Sequence, residues 1–261
     1  MTSASRAAKS GRRSGEIMTF ARIPAMAKQT LQQTMYELTD PSMAQRATLA
    51  VLLAACVAVA WWLLLGGGIA AAGAGFGWRW AAGDMMRRAC LGAAFSIYFV
   101  RVLFTQFVFL KRGMSWAEVF TIAPWVFLIY VFLAVAGGTN SAPFGAAGAA
   151  GAILFVAGSW MNSYAEYRRH VWKQRPENRG KLYTSSLFRY SRHPNYLGDL
   201  ISFSGLCLLA GRWFTVIVPA LMLAGFVFVN IPVLDAHLQR HYGAAFNEYA
   251  GKTRKLIPFV Y

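Results

Sequence analysis

The sequence predicts an all-α, polytopic membrane helical bundle of about six transmembrane helices with a polar cytoplasmic pocket. Three observations predict it. Hydrophobic residues make up 57% of the 261 positions and charged residues only 14%, against about 25% charged in a typical soluble domain. The apolar residues gather in runs long enough to cross a hydrocarbon core. Those runs do not alternate with polar residues, as the strands of a membrane β-barrel would.

Taken in order, residues 1–45 form a basic segment in which "SASRAAKSGRRSGE" is too poor in apolar side chains to order itself. It lacks the apolar core and adjoining cleavage site of a signal peptide. Within it, residues 26–40 read as an amphipathic surface helix, and Met18 and Met26 leave the start codon open. Six apolar spans follow, at roughly 47–73, 87–110, 118–138, 143–164, 195–211 and 213–233. The first three helices fall in residues 46–142, and the last three, with a polar tail, in 143–261. Gly145, Gly148 and Gly151 stand among alanines in the fourth span, where small residues let helices approach closely. Only Gly211 and Arg212 join the last two spans, which predicts a tight helical hairpin.

Orientation follows from the loops. The N-terminal segment, "LKRGMS" (110–115), residues 167–193 and the tail after 236 are basic, whereas "GGTNSAP" is uncharged. Both termini are therefore expected in the cytoplasm, with Arg79, Arg87 and Arg88 as the exceptions. The net charge of +16 belongs with these loops and with anionic lipid head groups. It does not indicate nucleic acid, for which no motif is present, although a second reading assigns part of it to an anionic cofactor. Cys56, Cys90 and Cys207 lie in apolar runs without metal-ligand spacing, so no metal is expected.

Polar residues away from the N-terminus concentrate in about 162–199 and 230–261, and such groups at membrane depth are costly and usually functional. In "NSYAEYRRHVWKQRPENRGKLYT" (162–184), helical spacing puts Asn162, Glu166 and Arg169 on one face and Tyr164 near Arg168. Lys173, Arg175, Arg179 and Lys181 could grip phosphate, or simply form a solvated loop. In "SRHPNYLGDL" (191–200), Pro194 suits the first turn of a helix and His193 its cap. The positive end of that helix faces the cytoplasmic boundary, with Asn195 and Asp199 on one face. In the tail, Asp235 follows the last span, and Tyr242, Phe246 and Tyr249 recur at a packing period. Spacing alone supports a membrane protein with a polar cytoplasmic pocket and names no reaction.

"RYSRHPNYLGDLI" followed by "RHYGAAFNEYAGKTRKLIPFVY" resembles the C-terminal half of the sterol reductases, and more widely the steroid 5-alpha-reductase type of C-terminal domain. The resemblance covers roughly residues 155–261. It implies NADPH bound from the cytoplasmic side and hydride transfer to a C=C bond of a lipophilic, steroid- or isoprenoid-like substrate. By position it implies a cofactor pocket of Lys173, Arg175, Arg192, His193, Asn195, Tyr196, Asp199, Asp235, Arg240, Tyr249 and Arg254. Tyr164, Glu166 and Tyr183 are the candidate proton donors. The stretch "RGMSWAEVFTIAPW" (112–125) looks more like small bacterial relatives, which implies a bacterial inner membrane. The same architecture resembles the isoprenylcysteine carboxyl methyltransferases, which bind S-adenosylmethionine. In that reading His193 and Asp235 line the pocket, and Arg101 or Arg189 steers a carboxylate. Asp199 and Asn195 fit the reductases better. A third reading is a non-enzymatic membrane protein, since the lamin B receptor shares the reductase fold.

Overall fold

A computed structural model describes residues 41–261, and the basic segment before it, including the expected 26–40 helix, lies outside the described residues. The described chain is helical: α1 (Met43–Leu65), α2 (Gly68–Gly75), α3 (Met85–Phe104), α4 (Trp116–Gly138), α5 (Gly145–Lys173), α6 (Pro194–Ala210), α7 (Ile217–Gly225), α8 (Ile231–Tyr242) and α9 (Ala244–Lys252). A π-helical turn, Thr105–Phe109, extends α3, and a second, Phe226–Asn230, makes α7 and α8 continuous.

Four stretches are long and apolar enough to cross a membrane: Met43–Leu65, Met85–Phe109, Trp116–Gly138 and Trp213–Tyr242. Two of the six expected spans are not among these four, and six are not confirmed. The fourth expected span lies in α5, a 29-residue helix diluted by glycine, serine and a charged C-terminal end. The fifth is α6, only 17 residues long, and a crossing takes about 20. The first expected span is also shorter than read, because the chain breaks at Gly66–Gly68, where Gly67 adopts φ 82°. Ile153, Val156 and Trp160 nevertheless leave an exposed apolar face on α5, and Val51, Phe120 and Phe228 do so on other helices. These surfaces are compatible with an integral membrane protein.

The main core lies between α1, α3 and α4, where Leu53, Leu64, Phe95, Tyr130 and Leu133 are almost fully buried. The tightest seam joins α5 to α6. A Cβ on Gly158 would stand 2.4 Å from Ser202 N, and one on Gly198 would stand 2.7 Å from Asn162 N. One turn pair along, Gly151 and Gly205 meet the opposite backbone as closely, at 2.5 and 2.4 Å. Each pair is spaced by seven residues, two helical turns, so one glycine stripe faces another.

The expected hairpin forms at Gly211, whose φ of 67° closes α6 in the left-handed region. Arg87, 3% exposed, donates to the carbonyls of Leu209, Ala142 and Pro143, and Asn140 donates to those of Ala210 and Gly211. Arg88 donates to Leu64 O. Two of the three arginines that disturb the charge rule therefore satisfy helix C-terminal carbonyls, where a cation is favoured.

Candidate functional site

The glycine seam delivers two polar side chains to one place. Asn162 Nδ2 on α5 donates to Asn195 O at the start of α6, 2.9 Å away, and Asn195 Nδ2 donates to Glu166 Oε1 at 3.0 Å. Arg169 donates to the other Glu166 oxygen. Asn162, Glu166 and Arg169 thus share a face, as their spacing predicts, and Glu166 is only 6% exposed. Glu166 accepts on both oxygens, from Asn195 and from Arg169.

Glu166 and Asn195 border a cavity of about 610 Å³ at the polar end of the bundle. Its rim includes Thr105, Phe109, Lys111 and Arg112, from the π turn and the loop after it. That loop is held by its neighbours: Arg46 donates to Leu110 O and Arg112 O, and Arg112 makes a two-pronged bond to Glu118 in the capping box that starts α4. Opposite, Lys173 Nζ donates to Tyr242 Oη at 2.6 Å and to Lys181 O at 2.8 Å. His170 also faces the cavity; its imidazole is held below the ordinary value first by burial and then by Lys111.

The cavity is electropositive. Lys111, Arg112, Arg169, Lys173 and Arg192 line it against a single carboxylate, Glu166. Glu118 and Asp235 pair with Arg112 and Arg192 from outside the lining. Five cations still face three carboxylates when these are included.

His193 and Asp235 form a second fixed unit. Asp235 Oδ1 lies 3.0 Å from His193 Nε2, and Oδ2 lies 3.0 Å from Arg192. His193 stacks on Tyr196 and Tyr196 on Phe226, at 5.4 and 4.6 Å between ring centres. His193 is 1% exposed and lines the cavity, yet its Nδ1 is buried without a partner among the described residues. A buried orphan of this kind calls for an explanation, a ligand among them. Tyr249 lies in the same wall, its phenol bonded to Phe188 O at 2.6 Å and pushed well above its ordinary value by burial.

One turn further along α6, Asp199 meets Arg101 of α3 at 2.7 Å. The Arg101 guanidinium stands 4.6 Å from the centre of the Tyr98 ring, and its Nε and Nη1 have no partner among the described residues.

Of the sequence-predicted residues, Glu166, Lys173, Tyr183, Arg192, His193, Asn195, Tyr196 and Tyr249 line the one cavity. Asp235 stands behind that wall and Asp199 beyond it. Tyr164 lies outside the lining, stacked on Trp160 with Arg168 over it. Arg175 and Arg240 are exposed outside the lining, and Arg254 lines a different cavity. Sequence reasoning passed over Lys111, Arg112, His170 and His237, which also line the cavity. The basic "LKRGMS" loop was the available signal, and positive-inside charge explained it equally well.

A family profile described as a protein of unknown function (DUF1295) matches residues 103–253. Over 63 residues the chain is 44% identical to a probable O-methyltransferase of Ustilaginoidea virens, covering 24% of this chain and 22% of that protein. Over 111 residues it is 29% identical to the 3-oxo-5-alpha-steroid 4-dehydrogenase 2 of Sus scrofa, 42% of each chain. Over 91 residues it is 31% identical to the protein-S-isoprenylcysteine O-methyltransferase B of Arabidopsis thaliana, 35% of this chain and 46% of that one. The matches span less than half the length of each of these relatives.

Proposed function

The chain belongs to the DUF1295 family, whose relatives are reductase-like and methyltransferase-like, and on that premise we propose that it is a membrane-embedded, NADPH-dependent reductase of a C=C bond in a lipophilic substrate. The observation that carries this reading is the charge of the cavity. Five basic side chains gather on its lining against three carboxylates, and Lys111 and Lys173 are the two cations in excess. A polyanionic dinucleotide gains from that field, whereas S-adenosylmethionine, which bears a net positive charge, is opposed by it.

The residues present fit such a cofactor. Lys111 and Lys173 would hold phosphate as point charges. Asn195, with Glu166 fixing its carboxamide, and the bare Nδ1 of His193 offer hydrogen bonds to the polar edges of the bases. When bound, the reduced nicotinamide supplies the hydride. The chain's own part is to orient, to exclude water and to deliver the proton. Tyr183 is the proton donor in this reading, since it lines the cavity, its ring held between Trp172 and Phe188.

A second reading, methyl transfer from S-adenosylmethionine, is favoured by the 44% identity to an O-methyltransferase. Thermal unfolding of the purified protein in detergent separates the two, because a ligand of the native state raises the midpoint according to its affinity. The reductase reading expects a rise with NADPH and none with S-adenosylmethionine. A rise with S-adenosylmethionine alone overturns it.

A further inference from the structure

A second cavity, of about 580 Å³, opens where the C-terminal tail meets the start of α6. Arg189, Arg254 and Lys255 line it, together with Phe259 and Val260. No carboxylate pairs with Arg189, Arg254 or Lys255 among the described residues. Arg192 borders both cavities, but its guanidinium is bound to Asp235 and covers the Phe246 ring, which places a fixed wall between them.

The tail is anchored to the helix that carries the candidate active site. Arg192 N donates to Arg254 O at 2.8 Å and His193 N to Lys255 O at 3.1 Å, immediately before α6 begins at Pro194. Leu256 is fully buried, and the next residues close a turn through Tyr261 N to Ile257 O. The tip of that turn is apolar and outward. Phe259 is 83% exposed and Val260 73%. Phe259 also holds a φ of 65°, a left-handed conformation that a bulky residue rarely adopts. A soluble surface gains nothing by straining its backbone to present a phenylalanine to water. At the level where a helix enters a bilayer, the same arrangement places an aromatic anchor beside cations.

We propose that this cavity binds the phosphate-bearing headgroup of an anionic phospholipid, with Arg254, Lys255 and Arg189 on the phosphate and Phe259 and Val260 in the acyl boundary. Charge complementarity commits the site to an anion, and the exposed apolar tip commits it to one carrying a hydrocarbon chain. Because the tail hydrogen-bonds to residues 192 and 193, an occupied site also braces the first turn of α6.

The test is the dissociation constant of short-chain phosphatidylglycerol for the full chain in detergent, beside phosphatidylcholine of equal chain length and inorganic phosphate. Phosphatidylglycerol should bind tightest. The double substitution Arg254→Gln/Lys255→Gln should weaken it about 30-fold, two charges at the usual contribution per basic residue, while NADPH binding and the unliganded unfolding midpoint stay unchanged. Phe259→Ser should weaken phosphatidylglycerol and leave phosphate unaffected. Equal binding of the two lipids overturns the proposal, as does phosphate binding as tightly as the anionic lipid. Loss of NADPH binding in the double variant overturns it too, by giving these residues to the cofactor.

Discussion

Gly158 and Gly198 face each other across the seam of α5 and α6 with no room for a side chain on either. A Cβ on one meets Ser202 N at 2.4 Å, and a Cβ on the other meets Asn162 N at 2.7 Å. Because the obstacles are backbone atoms, the helices can relieve them only by moving apart. Asn162 and Glu166 continue one helix past this contact, and Asn195 precedes it on the other. The glycine pair therefore sets the distance across which Asn195 reaches Glu166.

Gly158→Ala should destabilise the protein by about 1–3 kcal/mol, the usual cost of overpacking, and weaken cofactor binding by displacing Asn195. Gly75→Ala, at a position with nothing within 4 Å, is the control. Denaturant unfolding in detergent reads both. A neutral Gly158→Ala would remove the seam from the account.

Arg101 and Asp199 form an ion pair in which the arginine is 8% and the aspartate 20% exposed. Removing one partner leaves the other buried and unpaired, so Arg101→Met should cost about 3 kcal/mol. The double substitution Arg101→Met/Asp199→Leu should cost less than the sum of the singles. Additive losses in the double-mutant cycle would show that the pair is not coupled.

Tyr183→Phe keeps the ring against Trp172 and Phe188 and removes only the hydroxyl. If the phenol delivers the proton, turnover falls by about 10²–10⁴-fold with cofactor affinity unchanged. Turnover is read as loss of reduced-nicotinamide absorbance with a lipid extract as substrate. A variant with full turnover would place the proton donor elsewhere.

His170 gives a signed pH dependence. Its pKa is held down by burial and by Lys111 in the free protein, and a bound polyanion raises it. Binding then takes up a proton, so affinity for NADPH rises as the pH falls through the bound-state pKa, and levels off below the lowered free-state value. Stability without ligand runs the other way. A histidine with a depressed folded pKa contributes stability that is present above its unfolded value, about 6.5, and is lost as the pH falls from there through the lowered folded value. The cofactor's own phosphate titrates equally in wild type and in His170→Gln, so the difference between the two pH profiles isolates the histidine. Identical profiles would remove it from the site.

Much of this was legible in the sequence, and the rest was hidden for identifiable reasons. The apolar runs gave the helical bundle, and the i, i+4 and i, i+3 spacing of Asn162, Glu166 and Arg169 gave their shared face. His193, Asn195 and Tyr196 belong to one short motif, and they line one cavity. Gly158, Gly198 and Gly205 were not read as a seam, because their partners lie on another helix and helix pairing is not written in local spacing. Lys111 and Arg112 read as an ordinary cytoplasmic loop, since only tertiary folding carries that loop to Lys173. The resemblance puts Arg254 in the same pocket by position, but the tail turns it to the other side of Arg192.

The central claim is that the cationic cavity between α5, α6 and the Lys111 loop holds NADPH. Equilibrium binding tests it most directly, read as energy transfer from tryptophan to bound NADPH. It would be measured at two salt concentrations, in competition with S-adenosylmethionine, on wild type and on Lys173→Gln. The account predicts binding that weakens with salt, no displacement by S-adenosylmethionine, and about a tenfold loss in Lys173→Gln, the value of one charge-assisted contact. Displacement of NADPH by S-adenosylmethionine at equal or lower concentration, or affinity indifferent to Lys173, would contradict it.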